Sequence, residues 1–104
     1  EQFVEASRAF AQRILKSTAK SFSDRLDFAF ELATGRPADS IRKEVLQDAH
    51  SYQSKIFQAE PKRADDLLKI GETSRDSSIP AQEHATWTVL ASMILNLDET
   101  LNRE

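Results

Sequence analysis

The segment HATWTVLASMILNL, residues 84–97, carries no formal charge in a chain where 30% of the residues are Asp, Glu, Lys or Arg. Its apolar residues recur at helical spacing and cover more than half of the helix circumference. The uncharged run is shorter than the ~20 residues that a bilayer-spanning helix needs, and charges return on both sides of it. We therefore predict that this segment forms the central helix of a bundle and is buried against its own domain.

This last helix is expected to begin at Pro80 and to face the core along one broad stripe. The stripe consists of Trp87, Leu90, Ile94, Leu97 and Leu101, broadened by Ala91, Met93 and Leu95. A narrow strip of small polar side chains is expected on the other side of the helix, at Thr88, Ser92 and Asn96.

Two amphipathic helices are predicted at the beginning of the chain. The first covers about residues 2–18, and Arg8 is expected on its outer side. Its inward stripe consists of Phe3, Ser7, Phe10, Ala11 and Ile14. The second is expected to begin at Ser23 as its N-cap and to end before Gly35.

A long third helix, about residues 40–58, follows Asp39 as its cap. Its predicted inward stripe is Ile41, Val45, Ala49, Tyr52 and Ile56, widened by Leu46 and Phe57. A short fourth helix begins at Pro61 and is closed by Gly71. No strand is predicted, so the fold class is all-α: a compact bundle of about five helices around a central C-terminal helix, forming one domain over residues 1–104.

Composition excludes several classes of function. The net charge of −3 is spread over both signs, and this disfavours nucleic acid as a partner, because phosphate binding needs a concentrated basic face. The chain contains no cysteine, which excludes a disulfide framework, a thiolate nucleophile and a Cys-attached haem. We expect no membrane insertion and no cofactor in this chain.

The histidines do not form a metal site in the sequence pattern. His50 and Asp48 point to roughly opposite sides of the third helix, and Glu83 and His84 are adjacent residues whose side chains diverge. No spaced ligand set such as H-E-x-x-H is present, so these histidines are expected at the helix surface or at the core boundary.

The non-periodic stretch GETSRDSSIP, residues 71–80, holds the strongest candidate binding residues: Glu72, Arg75 and Asp76. Its carboxylates, with Asp98 and Glu99, could supply an acid–base pair. We favour a structural role, in which Asp76 accepts backbone N–H bonds and Arg75 pairs with a carboxylate or caps a helix C-terminus. No catalytic residue is assigned.

The second helix has two apolar sides. Phe28 and Leu32 lie well away from its main stripe, and a short helix of this kind is either sandwiched between neighbours or lacks a partner. We expect Phe28 and Leu32, together with Phe3, to mark an interdomain patch if they emerge at the surface.

Four segments appear in an order that resembles a known family. They are FVEASRAFAQRIL, RLDFAFELATGRPAD, LLKIGETSRD and AQEHATWTVLASMILNLDETLNRE. Together they resemble the C-terminal helical region of a planctomycete-specific domain family of unknown function. The match spans essentially the whole chain, although Ser74 stands where proline is common in that family and Ile79 stands where an Asp cap is usual.

The resemblance implies that this chain is the C-terminal fragment of a large, exported multidomain protein. Members of that family are associated with planctomycete-type cytochrome c domains and with polysaccharide-utilisation gene neighbourhoods. A carbohydrate or a cytochrome is therefore a candidate partner, in the periplasm or outside the cell, and no catalytic residues carry over.

Three functional hypotheses remain open. The first is a non-catalytic helical module that closes the C-terminal end of the larger protein and packs against its upstream domains. In the second, Glu72, Arg75 and Asp76 contribute to a carbohydrate-active or redox site that upstream domains complete. The third is a carbohydrate- or protein-binding module that works alone.

Overall fold

The computed structural model describes residues 2–71 and 74–102 and is all-helical over these ranges, as predicted. The five helices are α1 (Gln2–Lys16), α2 (Phe22–Thr34), α3 (Ser40–Ala59), α4 (Pro61–Leu68) and α5 (Ala81–Asn102). None of them combines the length and the apolar character that crossing a bilayer requires. The expected five-helix bundle is thus confirmed.

Local chemistry explains where the helices begin and end. The Asp39 carboxylate accepts the Arg42 N–H at 2.7 Å, which confirms it as the cap of α3. Gly35 follows α2 with φ +82°, in the left-handed region that favours glycine, and its N–H donates to the Glu31 carbonyl. The predicted cap of α2 is wrong by two residues, because Ser21 rather than Ser23 accepts the Asp24 N–H.

Helix α5 lies at the centre of the bundle and packs against all four other helices. From residue 84 to residue 91 every side chain except Val89 is buried. Trp87, Leu90 and Ile94 have no exposed surface, and Leu97 is half-buried. The structure does not describe the side chains of residues 98–102, so the predicted inward position of Leu101 lies outside the described part. The prediction that the apolar residues of 84–97 are buried or half-buried within their own domain is confirmed, while Asn96 is exposed.

The polar strip predicted on the other side of α5 passes from buried at Thr88 through half-buried at Ser92 to exposed at Asn96. Thr88 is buried, and its hydroxyl donates to the His84 carbonyl at 2.7 Å. A threonine tolerates this burial because its hydroxyl is satisfied by the backbone of its own helix. Near Thr88, helix α5 is therefore covered on that side as well, by α1 and α4.

Helix α1 follows the predicted stripe in its middle and departs from it at two residues. Ser7, Ala11 and Ile14 are buried as expected. Phe3, predicted to face inward, is 44% exposed, whereas Arg8, predicted to face outward, is only 4% exposed. The reason for the burial of Arg8 is a hydrogen bond to another helix, described below.

Helix α3 is rotated away from the centre of its predicted inward stripe, although Leu46 and Phe57, which were predicted to widen that stripe, are buried as expected. Ile41, Val45 and Tyr52 are 74%, 54% and 66% exposed, and the buried residues are Leu46 and Phe57. The two faces lie roughly a third of a turn apart on the helix. The buried face wins because it also brings His50 edge-on against two aromatic rings, Phe22 at 5.2 Å and Trp87 at 6.0 Å between ring centroids.

This orientation of α3 predicts opposite outcomes for two substitutions on the same helix. Leu46→Ala should lower the free energy of unfolding by about 2–4 kcal/mol, because it leaves a cavity in the core. Ile41→Ala should change it by less than about 0.5 kcal/mol. Urea unfolding followed by circular dichroism measures both, and equal losses for the two variants would contradict the orientation.

Candidate functional site

The loop before α5 is fixed to α1 through Asp76. The Lys16 ammonium lies 2.7 Å from the Asp76 carboxylate, and the Asp76 N–H donates to the Gln12 side-chain oxygen at 2.9 Å. The other carboxylate oxygen accepts both the N–H and the hydroxyl of Ser78. Asp76 therefore accepts a backbone N–H as predicted, and its carboxylate is engaged on both oxygens.

These contacts also set the protonation state of Asp76. The Lys16 ammonium, followed by the Ser78 donors, holds the pKa of this carboxyl far below its usual range, against a desolvation that raises it. Because the Asp76 carboxyl stays ionised near neutral pH, it has no proton to donate there and cannot serve as a general acid.

Arg75 organises the same loop from the inside. Its Nη1 donates to the carbonyls of Asp76 and Ile79, at 3.1 and 2.9 Å, and it lies 3.2 Å from Nδ1 of His84. Among the described residues Arg75 bonds to loop carbonyls and lies beside a ring nitrogen, and its pairing with a carboxylate stays a prediction. Glu72, the third predicted residue of this group, lies outside the described residues, and so do the side chains of Asp98 and Glu99.

His84 is a buried, neutral link between the loop and α1. Its Nδ1 faces the Arg75 guanidinium, which can only donate, and its Nε2 lies 3.1 Å from the Arg8 carbonyl, which can only accept. These partners assign the proton to Nε2. Burial, followed by the charges of Arg75 and Arg8, lowers the pKa of His84, while its bond to the Arg8 carbonyl and the Asp76 charge oppose the shift.

Arg8 is the residue of this region that sequence reasoning missed. Its Nη1 donates to the Leu68 carbonyl at 2.8 Å, at the last residue of α4, and its Nη2 lies 3.7 Å from Glu5. A cation at a helix C-terminus satisfies a carbonyl that has no partner inside the helix. The available signal was weak: Arg8 lies at the edge of the α1 stripe, next to Ser7.

A shallow cleft of about 420 Å³ opens beside these residues. Its lining consists of Arg8, Asp65, Leu68, Lys69, Gly71, Ser74 and Arg75. The Glu5 side chain lies so close to Gly71, which has φ +99°, that a Cβ added there would be 2.7 Å from its carboxyl carbon. The described residues contain no group of three His, Asp or Glu placed to hold a metal.

Glu83 occupies a separate site on another side of α5, facing α2 and α3. It accepts the Trp87 indole N–H at 2.9 Å, and the same oxygen lies 3.7 Å from Arg25 and 3.9 Å from His50. His50, followed by Trp87 and Arg25, lowers the pKa of Glu83 against a partial burial that raises it. Glu83 and His84 thus point to different neighbours, as their adjacency on a helix predicted.

The predicted interdomain patch is only partly exposed. Phe28 is half-buried and packs against the core, whereas Leu32 is 43% exposed. Phe3, the third residue considered with them, is exposed near the beginning of α1. A docking role for Phe28 and Leu32 remains a prediction.

Phe3 borders a groove that we call the α1 groove, with a volume of about 150 Å³. Its lining consists of Phe3, Val4, Ser7, Leu67, Thr88, Val89 and Ser92. Every hydroxyl in this lining donates to a carbonyl of its own helix: Ser7 to Phe3, Thr88 to His84 and Ser92 to Val89. The groove therefore presents mainly hydrocarbon to anything that enters it.

Comparison with known proteins does not identify a relative: no family model, no curated protein and no solved structure matches the chain.

The environment of His84 predicts that stability falls with acid. The folded-state pKa of His84 is lower than its unfolded value of 6.5, so its contribution is complete above pH 6.5 and is lost as the pH falls through 6.5 toward the lowered pKa. The loss is at most about 1.4 kcal/mol per pH unit. Urea unfolding at pH 7.5 and 5.5 measures it, and His84→Gln, which cannot titrate, should show a smaller difference.

Both pH values lie above the range in which Asp76 and Glu83 lose their contributions, because those losses begin only as the pH falls through the ordinary carboxyl pKa values of 3.8 and 4.5. The difference between wild type and His84→Gln therefore isolates the imidazole. Identical pH dependence in the two proteins would mean that His84 does not titrate differently in the folded state.

Proposed function

We propose that this chain is a non-catalytic helical module that closes the C-terminal end of a larger exported protein and packs against an upstream domain through the α1 groove. The observation that carries the proposal is the exposed Phe3 beside an apolar groove whose hydroxyls are all internally satisfied. An apolar opening of about 150 Å³ is large enough for a benzene-sized side chain of a partner.

The position of the groove suits an upstream domain. A domain that precedes this one in the chain is covalently joined to the beginning of α1, and Phe3 and Val4 lie on the first turns of that helix. A covalent connection gives the two domains a high effective concentration, so that a small apolar contact can hold them together.

The residues of the loop before α5 support a structural rather than a catalytic role. Asp76 is ionised and bonded on both oxygens, and His84 is buried and neutral with both ring nitrogens engaged. The Nη1 group of Arg75 is taken up by loop carbonyls. Such groups hold the loop against α1, and a reaction would have to break these contacts first.

The larger protein in this proposal is a member of the planctomycete-specific family described above. Its support is the ordered set of four segments that covers the chain, together with an all-α bundle in which they adjoin one another. Export, and a cytochrome or carbohydrate partner for the whole protein, belong to the same proposal.

The proposal is tested by separating the larger protein into its upstream part and this chain and measuring their association by calorimetry. Phe3→Glu should weaken the association at least about tenfold, because it places a charge in an apolar contact. Ala9→Glu, at an exposed position on the same helix, is the matched control and should leave the affinity unchanged.

Circular dichroism of both variants checks that they fold like the wild type. Undiminished association of the Phe3→Glu variant, or no association between the wild-type parts, would contradict docking through the α1 groove.

A further inference from the structure

Helix α3 leaves a second apolar surface uncovered, which we call the α3 strip: Ile41, Val45 and Tyr52. These side chains are the three most exposed large apolar residues in the described part of the chain. Their spacing places them on one face of the helix, where the half-buried Ile56 and Ala49 continue them toward the core. Three large apolar side chains aligned on one helix face differ from isolated surface residues and indicate a contact surface.

The charges along one flank of the α3 strip make no ion pair with the described part of the chain. Glu44, Asp48 and Lys55 lie within about 40° of one another around the helix, next to the strip. None of the three makes an ion pair among the residues that the structure describes, although Arg42 pairs with Asp39 and Lys43 with Asp27 on the same helix.

The order of these charges prevents them from pairing with one another. Glu44 and Asp48, four residues apart, repel each other weakly, and Lys55 is about 16 Å along the helix axis from Glu44. The flank is thus acidic in its first half and basic in its second. A surface with this polarity is complementary to itself when it is reversed.

We propose that a second copy of this chain packs on the α3 strip, with the two α3 helices antiparallel about a two-fold axis near Asp48 and Ala49. In this arrangement Val45 lies opposite Tyr52 of the partner subunit, and Glu44 lies opposite Lys55 of the partner subunit. The midpoints of both pairs fall between residues 48 and 50, so a single axis satisfies the apolar and the ionic contacts together. Each contact occurs twice, as an isologous interface requires.

The same geometry sets the strength of the dimer. Three exposed apolar side chains per copy make a contact at the small end of specific interfaces, so the dimer is expected to be weak. The two Asp48 carboxylates approach each other near the axis and oppose association. Neutralising Asp48 should therefore strengthen the dimer. This result is not expected if the α3 strip takes no part in self-association.

Charge reversal tests the ionic part of the proposal by sedimentation velocity over a micromolar to millimolar concentration series. Glu44→Lys alone and Lys55→Glu alone should each raise the dimer dissociation constant about tenfold, because each places like charges opposite one another twice. The double variant should restore wild-type affinity, and an equimolar mixture of the two single variants should form a heterodimer. Gln47→Lys, exposed on another face of α3, is the control and should have little effect.

Cysteine cross-linking tests the antiparallel geometry, since the chain has no cysteine of its own. Asp48→Cys should form a disulfide-linked dimer under mild oxidation because it lies at the axis. Ile41→Cys should not, because its two copies are about 24 Å apart, beyond the reach of a disulfide.

A wild-type chain that remains monomeric at millimolar concentration would overturn the proposal. So would charge reversals without effect, a double variant that fails to recover, or efficient cross-linking through Ile41→Cys. These results are separable from those on the α1 groove, because no α3 variant changes a residue of that groove.

Discussion

The burial of Trp87 on α5 is the constraint on which the rest of the fold depends. Its ring has no exposed surface and lies 5.5 Å from the Phe22 ring and 6.0 Å from the His50 ring, measured between centroids. An indole can be buried at low cost only when its N–H finds an acceptor, and Glu83, one turn earlier on the same helix, supplies it. One side chain thereby joins α2, α3 and α5.

The remaining helices are arranged by what α5 still needs to bury. Leu90 and Ile94 extend the dry surface along α5, and α1 covers the side that carries Thr88 and His84. Each large side chain contributes about 1.5–3 kcal/mol when fully buried. The polar groups that this enclosure traps are then satisfied one by one, by helix backbones, by Arg8 and by Arg75.

Sequence periodicity predicts this fold well where a helix has one apolar face and poorly where it has two. Helix α5 was predictable because its apolar residues exceed half of the circumference, so any rotation buries them. Helix α3 was not, because Ile41, Val45 and Tyr52 form as regular a stripe as Leu46 and Phe57 do. The choice between the two faces depends on the rings of Phe22 and Trp87, which belong to other helices.

In the candidate site, too, contacts between residues close in sequence were predictable and contacts between distant residues were not. The turn formed by Asp76 and Ser78 was predictable because its donors lie two residues from the carboxylate. The contact of Arg8 with the end of α4 spans sixty residues of sequence, and the local pattern of α1 gives only a weak signal of it. Reasoning from helix faces therefore placed Arg8 in solvent, although a hydrogen bond to another helix buries it.

The fluorescence of Trp87, the only tryptophan of the chain, tests the central position of α5 most directly. With the ring buried at the centre of the bundle, its emission should be blue-shifted and protected from acrylamide quenching in the native protein. Both properties should be lost in the same urea transition in which circular dichroism reports the loss of helix. Native emission at the wavelength of a solvated indole, quenched as readily as in the unfolded chain, would contradict the placement of α5 at the centre.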